Sequence, residues 1–504
     1  MKKFLSLLAM LIIAIAVVGC TPRERRNEHE IEDLGSDYKT KISATVTFWH
    51  AMGQANQGVI AEIITEFNKE YPNITVVQQS QGGYTDLRDK ILTTLSSGNN
   101  PTIAQTYPDH VAAYLQGKAV RELDSYINHA RYGMTQEEIE DFIPAYFEEG
   151  KIYDTKGTLY SLPFNKSTEV MFYNKTWFYN TKVDGVSLYE KYNLGTVEIV
   201  DEKPVFNDNP DAFLSWEDII EICEVYINSE AYQALSNDDK LKHAGFAADS
   251  EANLFITLTQ QFGGEYTSLE EPRFRFNNPQ SKAAMQWFFD NKEAGLFGTS
   301  TKFGTDYSSD AFKAGQIKMT IGSSAGANYN YPGDPDSTFH VGILPYPQFE
   351  DVTQFGGIQP EKGQVIQQGT NVTLFKCTDP MEELAGWLFI RFLTGYKAAM
   401  IWATKTGYFP IRNSVRTSQE YEDFLSGKKL LLDANTGEWT TIYEPSFIAK
   451  TMKVGWEQRN IFYTSPAFPG SSDCRDVVEA LVQAVLYGGV SIDQAYEDAL
   501  DELE

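Results

Sequence analysis

The alternation of apolar and polar residues changes its period several times in the first part of the chain. Residues 44–50 alternate and are rich in β-branched and aromatic side chains, which predicts a strand. Residues 57–71 carry apolar side chains at helical spacing and are followed by Pro72, which predicts a helix. A second strand is predicted at 74–77. Strand, helix and strand in this order indicate a βαβ unit with parallel strands, hence an α/β fold.

Predicted strands and helices continue to alternate towards the end of the chain. The later predictions are helices at 84–95, 111–115 and 473–487 and strands at 102–107, 169–174 and 317–321. One buried face of the last helix is marked by Val477, Val478, Leu481, Val482 and Val485. Residues 182–214 show no clear period and are predicted to form a surface insertion. A contact with a partner and a passive loop are both open interpretations of that insertion.

The beginning of the chain combines two lysines, an apolar run over residues 4–18 and a small residue before Cys20. This arrangement resembles a bacterial lipoprotein signal, in which a peptidase cuts before the cysteine and the thiol carries a diacylglycerol. We therefore expect a signal peptide at residues 1–19, lipidation of Cys20 and a polar tether over residues 20–41, on the outer face of the cell membrane. The run is shorter than the roughly 20 residues that span a bilayer. An uncleaved anchor and a cleaved, unlipidated peptide are the alternatives.

Composition restricts the possible partners. With 42 basic and 69 acidic residues the chain has a net charge of −27, which repels nucleic acid and anionic lipid. A length of 504 residues favours two domains. We predict no metal, because no metal-binding spacing appears among the cysteines that follow Cys20, which are Cys223, Cys377 and Cys474. We also predict no cofactor, because the sequence contains no Walker loop and no dinucleotide fingerprint. These thiols are interpreted as buried or incidental.

A set of short motifs then occurs in a fixed order along the chain. They are Trp49-His50-Ala51-Met52-Gly53, Gly83-Tyr84, Pro101 with Gln105-Thr106-Tyr107, the run from Leu162 to Thr168, Phe172-Tyr173-Asn174-Lys175, Ser215-Trp216-Glu217-Asp218, the run from Gly315 to Met319, and Thr406-Gly407-Tyr408-Phe409-Pro410. Together they resemble the family 1 extracellular solute-binding proteins, the receptors of ABC importers. Within that family, which mostly carries sugars, the chain resembles receptors for glycerol-3-phosphate and glycerophosphodiesters as well as sugar-binding receptors.

The resemblance implies a two-lobed periplasmic-binding-protein-like fold of type II. Each lobe is expected to be a mixed sheet flanked by helices, with the ligand cleft between the lobes. The implied division puts 42–164 and 322–369 in lobe 1, and 165–321 and 370–504 in lobe 2. A monomer is expected to bind a small solute, close over it by hinge bending and present it to the ABC permease subunits.

A sugar or glycerol ligand offers apolar C–H faces and many hydroxyls, so its site needs aromatic rings and hydrogen-bonding groups. The aromatic candidates are Trp49, Tyr84, Tyr107 and Tyr408. The resemblance places ligand contacts of the glycerol-phosphate receptors at Tyr84, Ser167, Ser324 or its neighbour Ser323, Gly369 and Tyr408. Each candidate has the alternative interpretation of a packing residue.

The resemblance also implies that Arg475 corresponds to the arginine that pairs with phosphate in those receptors. A guanidinium suits that role because it can bind phosphate in a bidentate manner. A solvated or salt-bridged Arg475 is the alternative. The receptors have a glutamate after the tyrosine matching Tyr107, whereas this chain has Pro108-Asp109, so a neutral sugar is also a candidate ligand. His50 is interpreted as either a ligand donor or a structural residue, and Lys166 is predicted to be exposed.

Enzymatic interpretations find little support in the motifs. Gly322 to Gly326 matches the G-x-S-x-G pattern of a nucleophile elbow, but His340 is the one histidine that follows it, too near to leave room for the strands and acid of a hydrolase. We therefore predict a binding protein without catalytic residues. A surface glycosidase or phosphodiesterase acting on the same ligands is the alternative, since many carboxylate pairs are possible.

Overall fold

A computed structural model describes residues 31–95, 97–334, 338–432 and 439–504. The predicted signal peptide, Cys20 and the first part of the tether lie outside these residues. Within the described ranges, no helix combines the length and the apolar character that a membrane crossing requires.

The strands are short except for two long ones in the middle of the sheet. In chain order they are β1 (Ala44–His50), β2 (Ile74–Ser80), β3 (Ile103–Thr106), β4 (Ser161–Asn174), β5 (Lys182–Val183), β6 (Val186–Ser187), β7 (Gly195–Val200), β8 (Lys203–Asp208), β9 (Phe246–Ala248), β10 (Phe297–Thr299), β11 (Met319–Ser323), β12 (Val341–Leu344), β13 (Val365–Leu374), β14 (Lys428–Leu432), β15 (Trp439–Tyr443) and β16 (Phe462–Tyr463).

Helices flank the strands in both halves of the molecule. They are Tyr38–Lys41, Gln54–Glu70, Tyr84–Leu95, Pro108–Gln116, Asp124–Ile127, Gln136–Glu140, Pro144–Glu148, Lys175–Asn180, Leu188–Lys191, Trp216–Ile227, Glu230–Gln233, Asn237–Lys240, Glu251–Gln261, Pro279–Glu293, Ser300–Phe303, Ser309–Lys313, Pro380–Leu393, Tyr396–Thr406, Asn413–Arg416, Gln419–Ser426, Phe447–Glu457, Ser471–Leu486 and Ile492–Leu503. Short 3-10 helices are Glu149–Lys151, Ser324–Asn330, Val352–Phe355 and Arg459–Ile461.

One continuous mixed sheet runs through the molecule in the order β10-β9-β11-β4-β13-β3-β1-β2, with β12 and β16 added to β4 and β13. The predicted βαβ unit is confirmed, because β1 and β2 pair in parallel along their full length. The strands β4 and β13 pair antiparallel in the centre, and every residue of β4 is buried. These two strands join the two halves, and we call them the hinge strands because the resemblance implies bending between the lobes.

Each lobe has its own hydrophobic core. The first core contains Phe48 and Phe164 together with Trp387 and other residues of the helix Pro380–Leu393. The second core is centred on Trp216 and includes the buried face predicted for the helix Ser471–Leu486. Separate cores joined by two strands give the two-lobed α/β architecture that the resemblance implied.

The cores correct the predicted division of the chain. Leu344 and Ile366 pack in the second core, although 322–369 was expected in lobe 1. Val372 and Trp402 pack in the first core, although 370–504 was expected in lobe 2. The reason is that β13 runs from the second core into the first, opposite to the expected direction.

The chain changes core three times, as the resemblance implied, but not at all the expected places. It leaves the first core after Phe164 and returns to it between Ile366 and Val372. The third change lies between Met452 and Ile461. Near Gly322, where a change was expected, the partly buried Ala325 packs against the first core, but Leu344 lies in the second core.

The segment 182–214 is only partly a surface insertion. Leu188, Leu194 and Leu214 are buried in the second core, whereas the ribbon β7–β8 is largely exposed. The segment changes between short strands, a helical turn and a ribbon, so its buried leucines are irregularly spaced and show no period. Its buried residues could not be located from periodicity.

Candidate functional site

Three of the predicted aromatic residues lie together on the first lobe. Tyr84 begins the helix Tyr84–Leu95, and Tyr107 caps the next helix after β3. The ring centroids of Tyr84 and Tyr107 are 5.0 Å apart, and the hydroxyl oxygens of Tyr84 and Tyr408 are 3.4 Å apart. We call these three residues the tyrosine wall.

Packing on the first core fixes the tyrosine wall. The ring of Tyr408 stacks on Trp402 at 5.7 Å, and Trp402 packs on Phe164 at 4.7 Å. Burial raises the pKa of each of the three tyrosines above its usual value. The hydroxyls therefore stay neutral and can both donate and accept hydrogen bonds.

Trp49 lies at the end of β1, apart from the ring contacts of the tyrosine wall. Its indole N–H donates to Oε1 of Gln79 at 2.7 Å, and the ammonium of Lys90 lies 5.0 Å from its ring centroid. The next residue, His50, is fully buried, and its Nδ1 accepts the backbone N–H of Met52. Of the two interpretations of His50, a ligand donor or a structural residue, these contacts support the structural one.

The hinge strands bring Ser167 and Gly369 to the base of the cleft. Ser167 donates to Oε1 of Gln368 at 3.4 Å and accepts the hydroxyl of Ser323 at 3.3 Å. Gly369 has φ +113°, and a Cβ there would overlap the backbone oxygen of Asn165, so glycine is required. Ser324 is fully buried and accepts the backbone N–H of Thr168, which leaves Ser323 as the serine on the cleft side.

Two neighbouring residues of β4 differ from the sequence-based picture. Lys166 is fully buried and ion-paired with Glu149, so the prediction that it is exposed is wrong. Asn165 is also buried, and its Oδ1 accepts the amide of Gln105 at 3.2 Å. Among the residues that the structure describes, its Nδ2 has no partner within hydrogen-bond geometry, yet the amide lies near enough to the Tyr408 hydroxyl to lower the pKa of that group. Asn165 lies beside the tyrosine wall; the sequence analysis included it in the run from Leu162 to Thr168 but did not single it out.

A chain of polar contacts leads from the second lobe to the hinge. Arg475 donates to Oδ1 of Asn253, and Nδ2 of Asn253 donates to Oε1 of Glu169 at 2.7 Å. The same carboxylate oxygen accepts Nε2 of Gln368 at 3.3 Å, which continues to Ser167. We call these five residues the polar network. Three of them, Asn253, Glu169 and Gln368, carry no motif in the sequence.

The electrostatics of this side are acidic despite Arg475. Burial raises the pKa of Glu169 to about 7 and that of Asp249, which follows β9, to about 6. Hydrogen bonds from Asn253 and from Ser308 act in the opposite direction on these two groups. Near neutral pH the Glu169 carboxyl group is therefore present in both its protonated and its ionised form.

The tyrosine wall and the polar network face each other. The charge of Arg475 lowers the pKa of Tyr107, against the larger effect of burial. One turn beyond Tyr84, Arg88 forms a salt bridge of 2.7 Å with Asp476 of the second lobe. The two sides therefore belong to one cleft, which the salt bridge spans at its edge.

This arrangement can bind a small polar molecule through rings on one side and hydrogen bonds on the other. Within the described part of the chain, no cluster of side chains suits a metal ion. Cys223 and Cys474 are buried and Cys377 is partly buried, all as free thiols.

Sequence comparison gives one family and a consistent set of relatives. A family model described as bacterial extracellular solute-binding protein matches residues 62–424. The sn-glycerol-3-phosphate-binding periplasmic protein UgpB of Pectobacterium atrosepticum is 24% identical over 410 residues, covering 79% of this chain and 78% of that protein. UgpB of Escherichia coli K12 is 23% identical over 378 residues, covering 73% and 74%.

Solved structures share the fold at low sequence identity. The GacH receptor of Streptomyces glaucescens, solved unliganded and with acarbose, has a TM-score of 0.67 at 15% identity and covers 91% of this chain and 97% of that one. UgpB of Mycobacterium tuberculosis in complex with glycerophosphocholine has a TM-score of 0.63 at 15% identity, covering 92% and 98%. Both likenesses confirm the two-lobed fold.

Proposed function

Because the chain belongs to the family of bacterial extracellular solute-binding proteins, we propose that it is the substrate-binding lipoprotein of an ABC importer. It captures a carbohydrate or glycerol-phosphate-type solute between its lobes and delivers it to the membrane permease. In this proposal the protein is a monomer, held outside the cytoplasmic membrane by a lipid on Cys20. No step of the proposed function is catalytic.

The observation that carries the proposal is the pairing of two chemically different sides in one cleft. Ring faces of the tyrosine wall suit the C–H surfaces of a sugar or glycerol backbone. Amide and carboxylate groups of the polar network suit its hydroxyls, because buried polar groups need hydrogen-bond partners. Contacts from both lobes supply the differential affinity that closes the hinge.

The geometry favours a neutral carbohydrate over a phosphate ester. Arg475 already donates to Asn253 and lies in the field of the Glu169 carboxylate. A phosphate would have to take Arg475 from this partner and tolerate the nearby carboxylate, or bind with Glu169 protonated. Phosphate esters nevertheless stay in the proposal as a second class of solute, because relatives of this chain are named for sn-glycerol-3-phosphate binding.

Isothermal titration calorimetry tests the proposal directly. The panel contains maltotriose, acarbose, sn-glycerol-3-phosphate and glycerophosphocholine, and each mixture is analysed afterwards for products. We expect a 1:1 complex with unchanged solute, and a smaller radius of gyration in X-ray scattering when it forms. Turnover would identify a glycosidase or phosphodiesterase instead, and an absence of binding across both solute classes would reject the proposal.

A further inference from the structure

A two-stranded ribbon, β14–β15, projects from the first lobe without joining the main sheet. It leaves the body at Gly427, which has φ +63° and ends the helix Gln419–Ser426. The backbone N–H of Glu444 donates to the Gly427 carbonyl and closes the base of the ribbon at 3.0 Å. Isolated two-stranded ribbons are marginally stable in water, so such a ribbon gains from a contact on its surface.

One face of the ribbon is apolar and exposed. Residues that pair across antiparallel strands share a face, so the register puts Leu430, Trp439 and Tyr443 together. Their exposed fractions are 63%, 65% and 64%. Three large apolar side chains that are this exposed on one face indicate an interaction surface.

The ribbon lies on the same lobe as the start of the described chain. The backbone N–H of Leu34 donates to the Tyr132 hydroxyl at 2.7 Å, which holds the end of the tether on this lobe. Tyr38 and Ser414 both line an open groove of about 700 Å³. Ser414 belongs to the short helix directly before the one that leads into β14.

We propose that the apolar face of β14–β15 rests on the lipid surface and orients the protein on the membrane. This rests on the proposed lipid anchor at Cys20. Residues 20–30 span at most about 35 Å when extended, which keeps this lobe close to the bilayer. Trp and Tyr prefer the lipid–water interface, and the long side chain of Lys428, on the same face, can reach from it to water.

The ribbon β7–β8 provides a matched comparison. It exposes Ile199, Val200 and Val205, but it packs on the second core through Val197 and Phe206. The exposed apolar residues of this ribbon are therefore aliphatic, and the ribbon lies on the lobe that the tether does not enter. We expect it to make no lipid contact.

The test uses the chain from residue 20 with Cys20→Ser, which keeps every described residue and carries no lipid. Co-flotation with phosphatidylcholine vesicles avoids repulsion between anionic lipid and the net charge of −27. We expect Leu430→Ser/Trp439→Ser to lower the bound fraction at least fivefold, and Ile199→Ser/Val205→Ser to leave it unchanged. Brominated phosphatidylcholine should quench tryptophan emission in the unsubstituted chain and less in Trp439→Phe.

Equal flotation of the unsubstituted chain and Leu430→Ser/Trp439→Ser would overturn the proposal. So would a dimer in analytical ultracentrifugation that this variant abolishes without any vesicle binding, because the face would then belong to a second copy. Solute binding by calorimetry is measured on the same samples. A chain that floats but binds no solute retains the ribbon proposal and rejects the proposed function.

Discussion

The tyrosine wall and the polar network line one cleft but are built differently. The tyrosine wall is a set of rings locked by stacking on Trp402 and the first core, and its hydroxyls stay neutral. The polar network consists of side chains that hold each other, and it includes a buried carboxylate with a pKa of about 7. We infer that the tyrosine wall selects the shape of a solute, whereas the polar network selects its charge.

The largest expected effect concerns Glu169. Its pKa is higher in the folded chain than its ordinary 4.5, because burial disfavours the charged form. The resulting stabilisation is present below pH 4.5 and is lost as the pH rises through about 7, a change of about 3 kcal/mol. Urea unfolding between pH 4.5 and 8 should show this decrease, and Glu169→Gln should flatten it.

Asp249→Asn is the matched control, because the pKa of Asp249 is about 6 and its partner is Ser308 rather than the polar network. Asp249→Asn should remove the decrease that belongs to Asp249 itself, and the Glu169 decrease should remain but move to lower pH, because the Asp249 charge helps to raise the pKa of Glu169. If the free energy of unfolding fell with pH as steeply for Glu169→Gln as for the unsubstituted chain, the fold would not hold this carboxyl group protonated.

A second prediction separates charge selection from shape selection. Arg475→Ala should weaken binding of glycerophosphocholine or sn-glycerol-3-phosphate by about 2 kcal/mol, since hydrogen bonds to charged groups contribute about 1.5–3 kcal/mol. It should weaken binding of a neutral sugar by less than about 1 kcal/mol. Calorimetry with both solute classes measures the difference.

Arg475→Lys keeps the charge and loses the guanidinium fork, so it should restore only part of the phosphate affinity. If Arg475→Ala lowered the affinity for charged and neutral solutes equally, Arg475 would position Asn253 and would not contact a charged group of the solute.

The sequence predicted the tyrosine wall better than the polar network. The helix Tyr84–Leu95 has the predicted bounds, and ordered motifs indicated Tyr84, Tyr107 and Tyr408, which the fold brings together. Each of these tyrosines lies at the end of a regular element, where local patterns are informative. The roles of all eight predicted ligand residues in binding stay predictions.

Ser167 and Arg475 of the polar network were candidates from the sequence, but Asn253, Glu169 and Gln368 could not be predicted because their signal is not local. Glu169 is one of 69 acidic residues, and it becomes distinct only when the helices Glu251–Gln261 and Ser471–Leu486 meet β4. Lys166 shows the same limit, since its burial depends on Glu149 as a partner. The direction in which β13 crosses between the cores likewise depends on long-range packing.

The next prediction addresses the shape of the solute. Tyr84→Ala should weaken binding of every accepted solute by about 1.5 kcal/mol, because it removes a ring that covers an apolar face. Tyr84→Phe keeps the ring and should lose less. Trp49→Ala should have less than half the effect of Tyr84→Ala, because the Trp49 ring is engaged by Gln79 and Lys90 of its own lobe. If Trp49→Ala and Tyr84→Ala lowered the affinity equally, Trp49 would contact the solute together with the tyrosine wall.

The smallest effect should come from the edge of the cleft, where Arg88 pairs with Asp476 of the opposite lobe and with Asp89 of its own helix. Asp476→Ala removes a contact between the lobes and should weaken all solutes alike by about 0.5 kcal/mol, less at high salt. Asp89→Ala removes a comparable exposed carboxylate without touching the interface, so affinity should not fall. Calorimetry at low and high NaCl compares the two variants. A loss that depends on the solute would mean that Asp476 selects charge together with the polar network, whereas a uniform loss shows that it acts only on closure.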